Sequence, residues 1–333
     1  MAGLGFFLNL SNIPKILITM KYFNIQPKNN LSATVSYLLP RTLAIGLLLG
    51  AFILLNLSLS AQPGTIQWED NYGGSDFDFA NSVQQTDDGG YIVVGQSASN
   101  DGDVSGNIGN EDYWLVKLDA SGTILWEGNY GGSGFDAARS VEQTNDGGYI
   151  VAGISTSTDG DVSGNNGTGD YWLVKLDSSG TILWEDNYGG SDFDQARYVQ
   201  QTGDGGYIVV GLSRSDDGDV SGNNGGEDYW LVKLDASGTI LWEGNYGGSS
   251  NDFAWFVQQT DDGGYIVAGS SESDDGDVSG NNGNRDHWLV KLDSSGAILW
   301  EGNYGGSDFD AAFSVQQTDD GGYIVAGSSE SDD

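Results

Sequence analysis

Cysteine is absent from the 333 residues, and histidine occurs once, methionine twice and proline four times. Without cysteine there is no disulfide framework, no thiolate metal site, no Cys nucleophile and no lipidated N-terminal Cys. The lone histidine, His287, stands where the other repeats described below carry Tyr113, Tyr171 and Tyr229. That makes it a tolerated strand substitution in preference to a catalytic base. Basic residues are scarce as well: 12 Lys and Arg against 48 Asp and Glu, for a formal charge of −36. Four of the basic residues (Lys15, Lys21, Lys28, Arg41) precede Gln62 in a segment without Asp or Glu, so the remainder carries eight against 48, a formal −40. A polyanion of that density is repelled by nucleic acid and by anionic membrane surfaces. The acids are spread along the chain, eight to eleven in each full repeat, so they do not form a disordered acidic tail.

Long apolar runs are confined to one place. Leu43 to Leu55 is unbroken and follows Arg41, softening through Asn56 and Ser58 to Ser60-Ala61-Gln62. A basic start, an apolar stretch of about 13 and small residues near the junction read as a secretory signal within residues 1–61. The lead before it is long, so Met20 is an alternative start. An uncleaved anchor is the second reading, but the run is short for a membrane span. No stable span is expected after processing.

The tryptophans Trp68, Trp126, Trp184, Trp242 and Trp300 are each 58 residues apart, and Trp114, Trp172, Trp230 and Trp288 keep the same spacing. A fixed period of this size signals a repeat architecture. Counted from the glycines, the repeats are 64–121, 122–179, 180–237, 238–295 and a partial 296–333. Each period predicts four short strands, as in 140–144, 148–153, 171–176 and 181–185, with Asn-Asp-Gly-Gly and Asp-Ser-Ser-Gly turns between the paired ones. No segment keeps a 3.6-residue period. Two hairpins per period make one antiparallel sheet, and sheets arranged radially hide their edges. The expected fold is therefore all-β, a β-propeller of four-stranded antiparallel blades over residues 62–333 with the last blade incomplete. A β-solenoid is the rival, although its coils are shorter and lack paired hairpins. The two tryptophan series are expected to pack between blades and sheets.

Leu118-Asp119-Ala120-Ser121-Gly122-Thr123-Ile124-Leu125-Trp126 resembles the tryptophan-docking motif of quinoprotein-type propellers. The stretch from Ala138 to Gly153 resembles the repeats of secreted β-propeller surface proteins of Bacteroidetes. That resemblance spans residues 64–333. It implies a bacterial protein exported to the medium or outer surface, with further blades and a C-terminal sorting domain in a longer chain. It also implies that the Trp126 series packs on the neighbouring blade.

One loop carries a metal-like pattern. Asp101, Asp103, Ser105, Asn107 and Asp112 stand at positions 1, 3, 5, 7 and 12, with Gly106 at 6. The same pattern recurs as Asp159, Asp161, Ser163, Asn165 and Asp170, as Asp217, Asp219, Ser221, Asn223 and Asp228, and as Asp275, Asp277, Ser279, Asn281 and Asp286. This is the spacing at which calcium loops of the EF-hand type gather oxygen ligands. Positions 8, 10 and 11 vary between repeats while the ligand positions do not. Structural calcium is the functional reading, and a turn rich in Asp, Asn, Ser and Gly without an ion is the plain one. The loop also resembles the calcium-carrying hairpin loops of integrin-type propellers.

A second constant feature is the Asp of S-x-F-D-x-A, seen as Asp78, Asp136, Asp194, Asp252 and Asp310, most simply a turn cap. Beside it the repeats differ most. Arg139, Arg197, Tyr198, Trp255 and Phe256 mark the expected ligand-binding mouth, with neutral drift as the alternative. No Ser-His-Asp or Cys-His set and no P-loop is present. Carboxylates suit glycoside hydrolysis by type, yet near-identical repeats give near-identical environments, against the divergent pKa pair that such chemistry needs. The expected function is a non-catalytic binding, adhesion or structural module toward a glycan or surface protein. An inert spacer of a giant secreted protein and a carbohydrate-active enzyme are the alternatives.

Overall fold

The structure is a computed structural model that describes residues 68–332. The signal and leader assigned to residues 1–61 lie outside the described residues. No helix among the described residues is long and apolar enough to cross a membrane.

Strand boundaries follow turn chemistry. At Thr144-Asn145-Asp146-Gly147-Gly148, Thr144 N–H donates to Gly148 O at 2.9 Å and Gly147 N–H to Thr144 O at 2.8 Å. Gly147 takes φ +80°, a left-handed conformation that side chains resist. Asp146 Oδ1 accepts from the Thr144 hydroxyl and from Gly148 N–H, which locks the hairpin. The same turn recurs in every repeat, so the chain folds as a series of identical hairpins.

The first sheet holds β1 (Asp78–Gln85), β2 (Tyr91–Ser97), β3 (Asp112–Leu118) and β4 (Ile124–Tyr130). The second holds β5 (Asp136–Gln143), β6 (Tyr149–Ser155), β7 (Asp170–Leu176) and β8 (Ile182–Tyr188), and the third β9 (Asp194–Gln201), β10 (Tyr207–Ser213), β11 (Asp228–Leu234) and β12 (Ile240–Tyr246). The fourth holds β13 (Asp252–Gln259), β14 (Tyr265–Ser271), β15 (Asp286–Leu292) and β16 (Ile298–Tyr304), followed by the pair β17 (Asp310–Gln317) and β18 (Tyr323–Ser329). Order within each four-stranded sheet is sequential and every pairing is antiparallel. The first strands touch one another from sheet to sheet, β1 on β5, β5 on β9, β9 on β13 and β13 on β17. Sheets that converge on their first strands and step round one after another are the blades of a β-propeller.

The blades are out of phase with repeats reckoned from Gly64, because each sheet takes its outermost strand from the following repeat. Two strands are also longer than turn residues alone suggest. The first begins at Asp136, in the S-x-F-D segment, and the fourth runs on to Tyr188. An extra residue interrupts each first strand: pairing slips between Ala138 and Ser140 opposite Gly153 and Ala152, leaving Arg139 as a β-bulge.

From Trp114 and Trp126 onward both tryptophan series pack as expected, whereas Trp68, first of its series, is 37% exposed. Trp172, Trp230 and Trp288 are wholly buried, each 4.5 Å from a tyrosine (Tyr113, Tyr171, Tyr229) of the preceding blade. Those tyrosine hydroxyls donate to the main-chain carbonyls of the same tryptophans at 2.9–3.1 Å. Trp126 meets Tyr149 of the next blade edge-on at 5.9 Å. Along the inner strands, Gln143 N–H donates to Gln84 Oε1, Gln201 N–H to Glu142 Oε2 and Gln259 N–H to Gln200 Oε1. Apolar burial and these stitches join each blade to the next.

Candidate functional site

The bulge in each first strand turns one side chain out of the alternating pattern. Those side chains are Asn81, Arg139, Arg197, Trp255 and Phe313, and the structure sets them side by side where first strands meet. Asn81 Nδ2 donates to Ala138 O at 2.7 Å and to Gln96 Oε1 at 3.3 Å, and Arg139 Nη1 reaches the same Gln96 oxygen at 3.5 Å. The Arg197 guanidinium lies over the Trp255 ring at 4.5 Å, and Trp255 meets Phe313 edge-on at 5.6 Å.

Three donors in this row are buried without a partner: Arg139 Nε, Arg197 Nε and Trp255 Nε1. A buried N–H lacking an acceptor is destabilising by about 1–3 kcal/mol, so an acceptor brought to the row would be favourable. Burial, together with repulsion from Arg139, lowers the Arg197 guanidinium to about 10. Burial lowers Arg139 also, opposed by Tyr113 and Glu111.

Of the sequence-derived ligand residues, the structure brings Arg139, Arg197 and Trp255 together. Tyr198 and Phe256 meet with tilted rings at 4.2 Å but pack against the cores between blades. Their role there is packing. Sequence comparison alone left out Gln96, which differs from its counterparts Ile154, Leu212 and Ser270, and which holds both Asn81 and Arg139.

The acidic loops are arranged differently from a single-loop cage. Asp101 Oδ1 accepts from Ser75 N–H at 2.7 Å and Asp103 Oδ2 from Gly73 N–H at 3.2 Å, so positions 1 and 3 reach back to the segment preceding the first strand. Ser105 Oγ donates to Glu127 Oε1 at 2.5 Å, and Asn107 Nδ2 donates to Ser97 O at 2.7 Å. Asp112 Oδ2 accepts from Ile108 N–H at 2.7 Å. In the second loop, Asp159 accepts from Ser133 N–H, Asp161 from Gly131 N–H, Asn165 donates to Ser155 O and Asp170 accepts from Asn166 N–H, with Ser163 N–H directed to Glu185. The third and fourth loops repeat this through Asp217, Asp219, Ser221, Asn223 and Asp228, and through Asp275, Asp277, Ser279, Asn281 and Asp286.

The Asp of S-x-F-D-x-A does cap its turn: Asp136 Oδ2 accepts from Gly132 N–H and from Ser157 Oγ, both at 2.8 Å. His287 Nε2 meets Ser328 O at 3.0 Å, in the position that Tyr229 uses to reach Trp288.

No protein-family description and no curated protein matches the chain. Among solved structures the chain is similar to Sqt1 from Chaetomium thermophilum, with 13% identity over 74% of this chain and 54% of that one and a TM-score of 0.40. It is also similar to the Pan2 WD40 domain of Neurospora crassa, with 11% identity over 70% and 71% of the two chains and a TM-score of 0.36. The chain spans about half the length of the Sqt1 structure. Likeness this distant carries nothing about ligand or activity.

Proposed function

We propose that this propeller is a non-catalytic binding module whose recognition surface is the row of bulge side chains Asn81, Arg139, Arg197, Trp255 and Phe313. The observation that carries this reading is the coincidence of two features. The row is where the repeats differ most, and it holds the buried, unpartnered donors Arg139 Nε, Arg197 Nε and Trp255 Nε1. Donors beside an aromatic face suit a ligand that presents oxygen acceptors and a flat apolar side, as sugars do. A glycan at a cell or matrix surface is the ligand class, and adhesion the biological use.

Export to the outer surface of a bacterium belongs to the same proposal, supported by the basic and apolar run ahead of Gln62 and by the acidic composition beyond it. N-terminal sequencing of the protein released by its native host tests it. A structural calcium ion also belongs to it, supported by the recurrence of the acidic loops.

An array of neutral and acidic glycans probed with the immobilised chain tests the binding reading. Arg197→Ala and Trp255→Ala are expected to weaken the best ligand at least tenfold with little change in melting temperature. Absence of glycan binding by the unaltered chain refutes the reading and leaves the inert spacer.

A further inference from the structure

Gly131, Gly189, Gly247 and Gly305 each face two carboxylates that belong to different blades. A methyl group on Gly131 would stand 2.6 Å from Asp136 Oδ2 and 2.8 Å from Asp112 Oδ1. The same point beside Gly189 lies 2.6 Å from Asp194 Oδ2 and 2.8 Å from Asp170 Oδ1. Beside Gly247 the distances are 2.5 Å to Asp228 Oδ1 and 2.6 Å to Asp252 Oδ2, and beside Gly305 they are 2.6 Å to Asp286 Oδ1 and 2.7 Å to Asp310 Oδ2. Only glycine at these positions lets the two carboxylates close against the main chain, which brings an oxygen of each to the same point.

All eight aspartates are at most 1% exposed, and in all eight Oδ1 is buried with no hydrogen-bond partner. The other oxygen is satisfied as an anion would be. Asp112 Oδ2 accepts from Ile108 N–H, while Asp136 Oδ2 accepts from Gly132 N–H and Ser157 Oγ. Two buried anions side by side, each with a bare oxygen, are unfavourable unless a cation or a proton joins them. The two members of the pair act on one another through charge, with no hydrogen bond between them. A cation that meets both carboxylates would satisfy the oxygens that the protein leaves bare.

We propose that a divalent cation, calcium by the all-oxygen character of the ligands, bridges the carboxylate pair at each blade junction: Asp112 with Asp136, Asp170 with Asp194, Asp228 with Asp252 and Asp286 with Asp310. This deepens the structural-calcium part of the proposed function and moves the ligands from within one loop to the seam between blades. Only position 12 of the loop remains a ligand, and the capping Asp of the next blade supplies the second carboxylate. Two carboxylates form each core, in keeping with the lack, among the described residues, of any group of three His, Cys, Asp or Glu side chains arranged to hold a metal. At three junctions Asp161, Asp219 and Asp277 stand close by, each accepting from the same glycine's N–H at 3.3–3.4 Å. Water and neighbouring carbonyls complete the shell. The ion's role is to fasten blade to blade.

The test is calcium titration of the chelator-treated chain by calorimetry, with melting curves in calcium and in chelator. The expected result is one ion per pair and a rise in melting temperature on the order of 5 °C or more at millimolar calcium. Replacing Asp136→Asn, Asp194→Asn and Asp252→Asn together is expected to remove three ions from the stoichiometry. In chelator that variant should melt no lower than the unaltered chain, because a buried like-charge repulsion is gone. If the triple variant does not fold, Asp136→Asn alone should remove one ion. Asp101→Asn, Asp159→Asn and Asp217→Asn together should leave the stoichiometry unchanged. Loss of calcium with these loop variants and not with the junction variants restores the single-loop cage and refutes the junction site. Junction variants that lose equal stability with and without calcium show a turn cap only, which also refutes it. No calcium uptake by the unaltered chain overturns both readings while leaving the glycan proposal untouched.

Discussion

The same residue behaves differently at the middle and at the outer faces of this array. Val141, Val199, Val257 and Val315 are 0–6% exposed, whereas Val83, their counterpart in the first sheet, is 65% exposed. Strands β6, β10 and β14 are buried along their whole length, but β18, with nearly the same sequence, is half-exposed throughout. Tyr188 and Tyr246 are buried, and Tyr304 is 46% exposed. Where Trp172, Trp230 and Trp288 fill the seams of inner blades, the last seam has a cleft of about 480 Å³ lined by His287, Leu289, Tyr323 and Val325 among others. A blade of this sequence therefore does not build its own core. Its neighbours do, and stability is a sum of junctions, as in other repeat arrays.

The largest effect should come from emptying a seam. Trp230→Ala removes a wholly buried indole wedged against Tyr171, and unfolding by urea should show a loss of about 3–5 kcal/mol. Phe313→Ala, at a ring 47% exposed, should lose about 1 kcal/mol or less. Equal losses would mean that the outer faces are covered in solution. The valines sharpen the same point: Val199→Ala should lose roughly 2 kcal/mol and Val83→Ala no more than about 0.5 kcal/mol. One inter-blade hydrogen bond contributes less than the indole that fills a seam. Tyr171→Phe leaves the Trp230 carbonyl without its donor and should lose about 1–2 kcal/mol by the same measurement, with packing preserved.

How far these seams were legible in the sequence depends on what kind of regularity they use. The 58-residue tryptophan spacing and the Asp-Gly-Gly turns announce blades because hairpin chemistry is local and repeats verbatim. The start of each first strand at Asp136 was hidden, since Gly-Phe-Asp shows no alternation and is held extended by pairing with Ser155. The bulge at Arg139 was hidden too, because one inserted residue breaks a period of two without leaving a turn residue behind. Variability between repeats did point to Arg139, Arg197 and Trp255, although it could not separate them from Tyr198 and Phe256, which vary because they pack against unequal neighbours. The loop spacing suggested ligands converging within twelve residues. Linear spacing cannot show that Asp101 and Asp103 reach instead to the backbone of residues 73–75, or that Asp112 faces an aspartate of the next blade.

The smallest predicted effect concerns acid. Lys175, Lys233 and Lys291 are buried side chains, each paired with a more exposed aspartate of the nearby hairpin, Asp146, Asp204 and Asp262, at 3.0 Å. Burial alone would raise Asp204, but bonds from the Thr202 hydroxyl, Gly206 N–H and Lys233 outweigh it and draw the carboxyl down to about 2. Asp146 is drawn down to about 2 in the same way. A carboxyl lowered in the folded chain contributes stability that is fully present above its unfolded value near 3.8 and is lost as pH falls through about 2. Other aspartates, Asp170 and Asp228 among them, are pushed up to about 7 by burial and act in the opposite sense, so the whole melting curve does not isolate the pair. The difference between the unaltered chain and Asp204→Asn does. Melting temperatures of the two should converge between pH 4 and pH 2, with the variant the less stable at pH 5. In the last sheet Asp320 keeps the Thr318 and Gly322 bonds and is fully exposed, so Asp320→Asn should shift the pH 5 midpoint less than Asp204→Asn does. A shift from Asp320→Asn as large as that from Asp204→Asn would show that the turn bonds alone hold these hairpins and that the buried lysines add nothing.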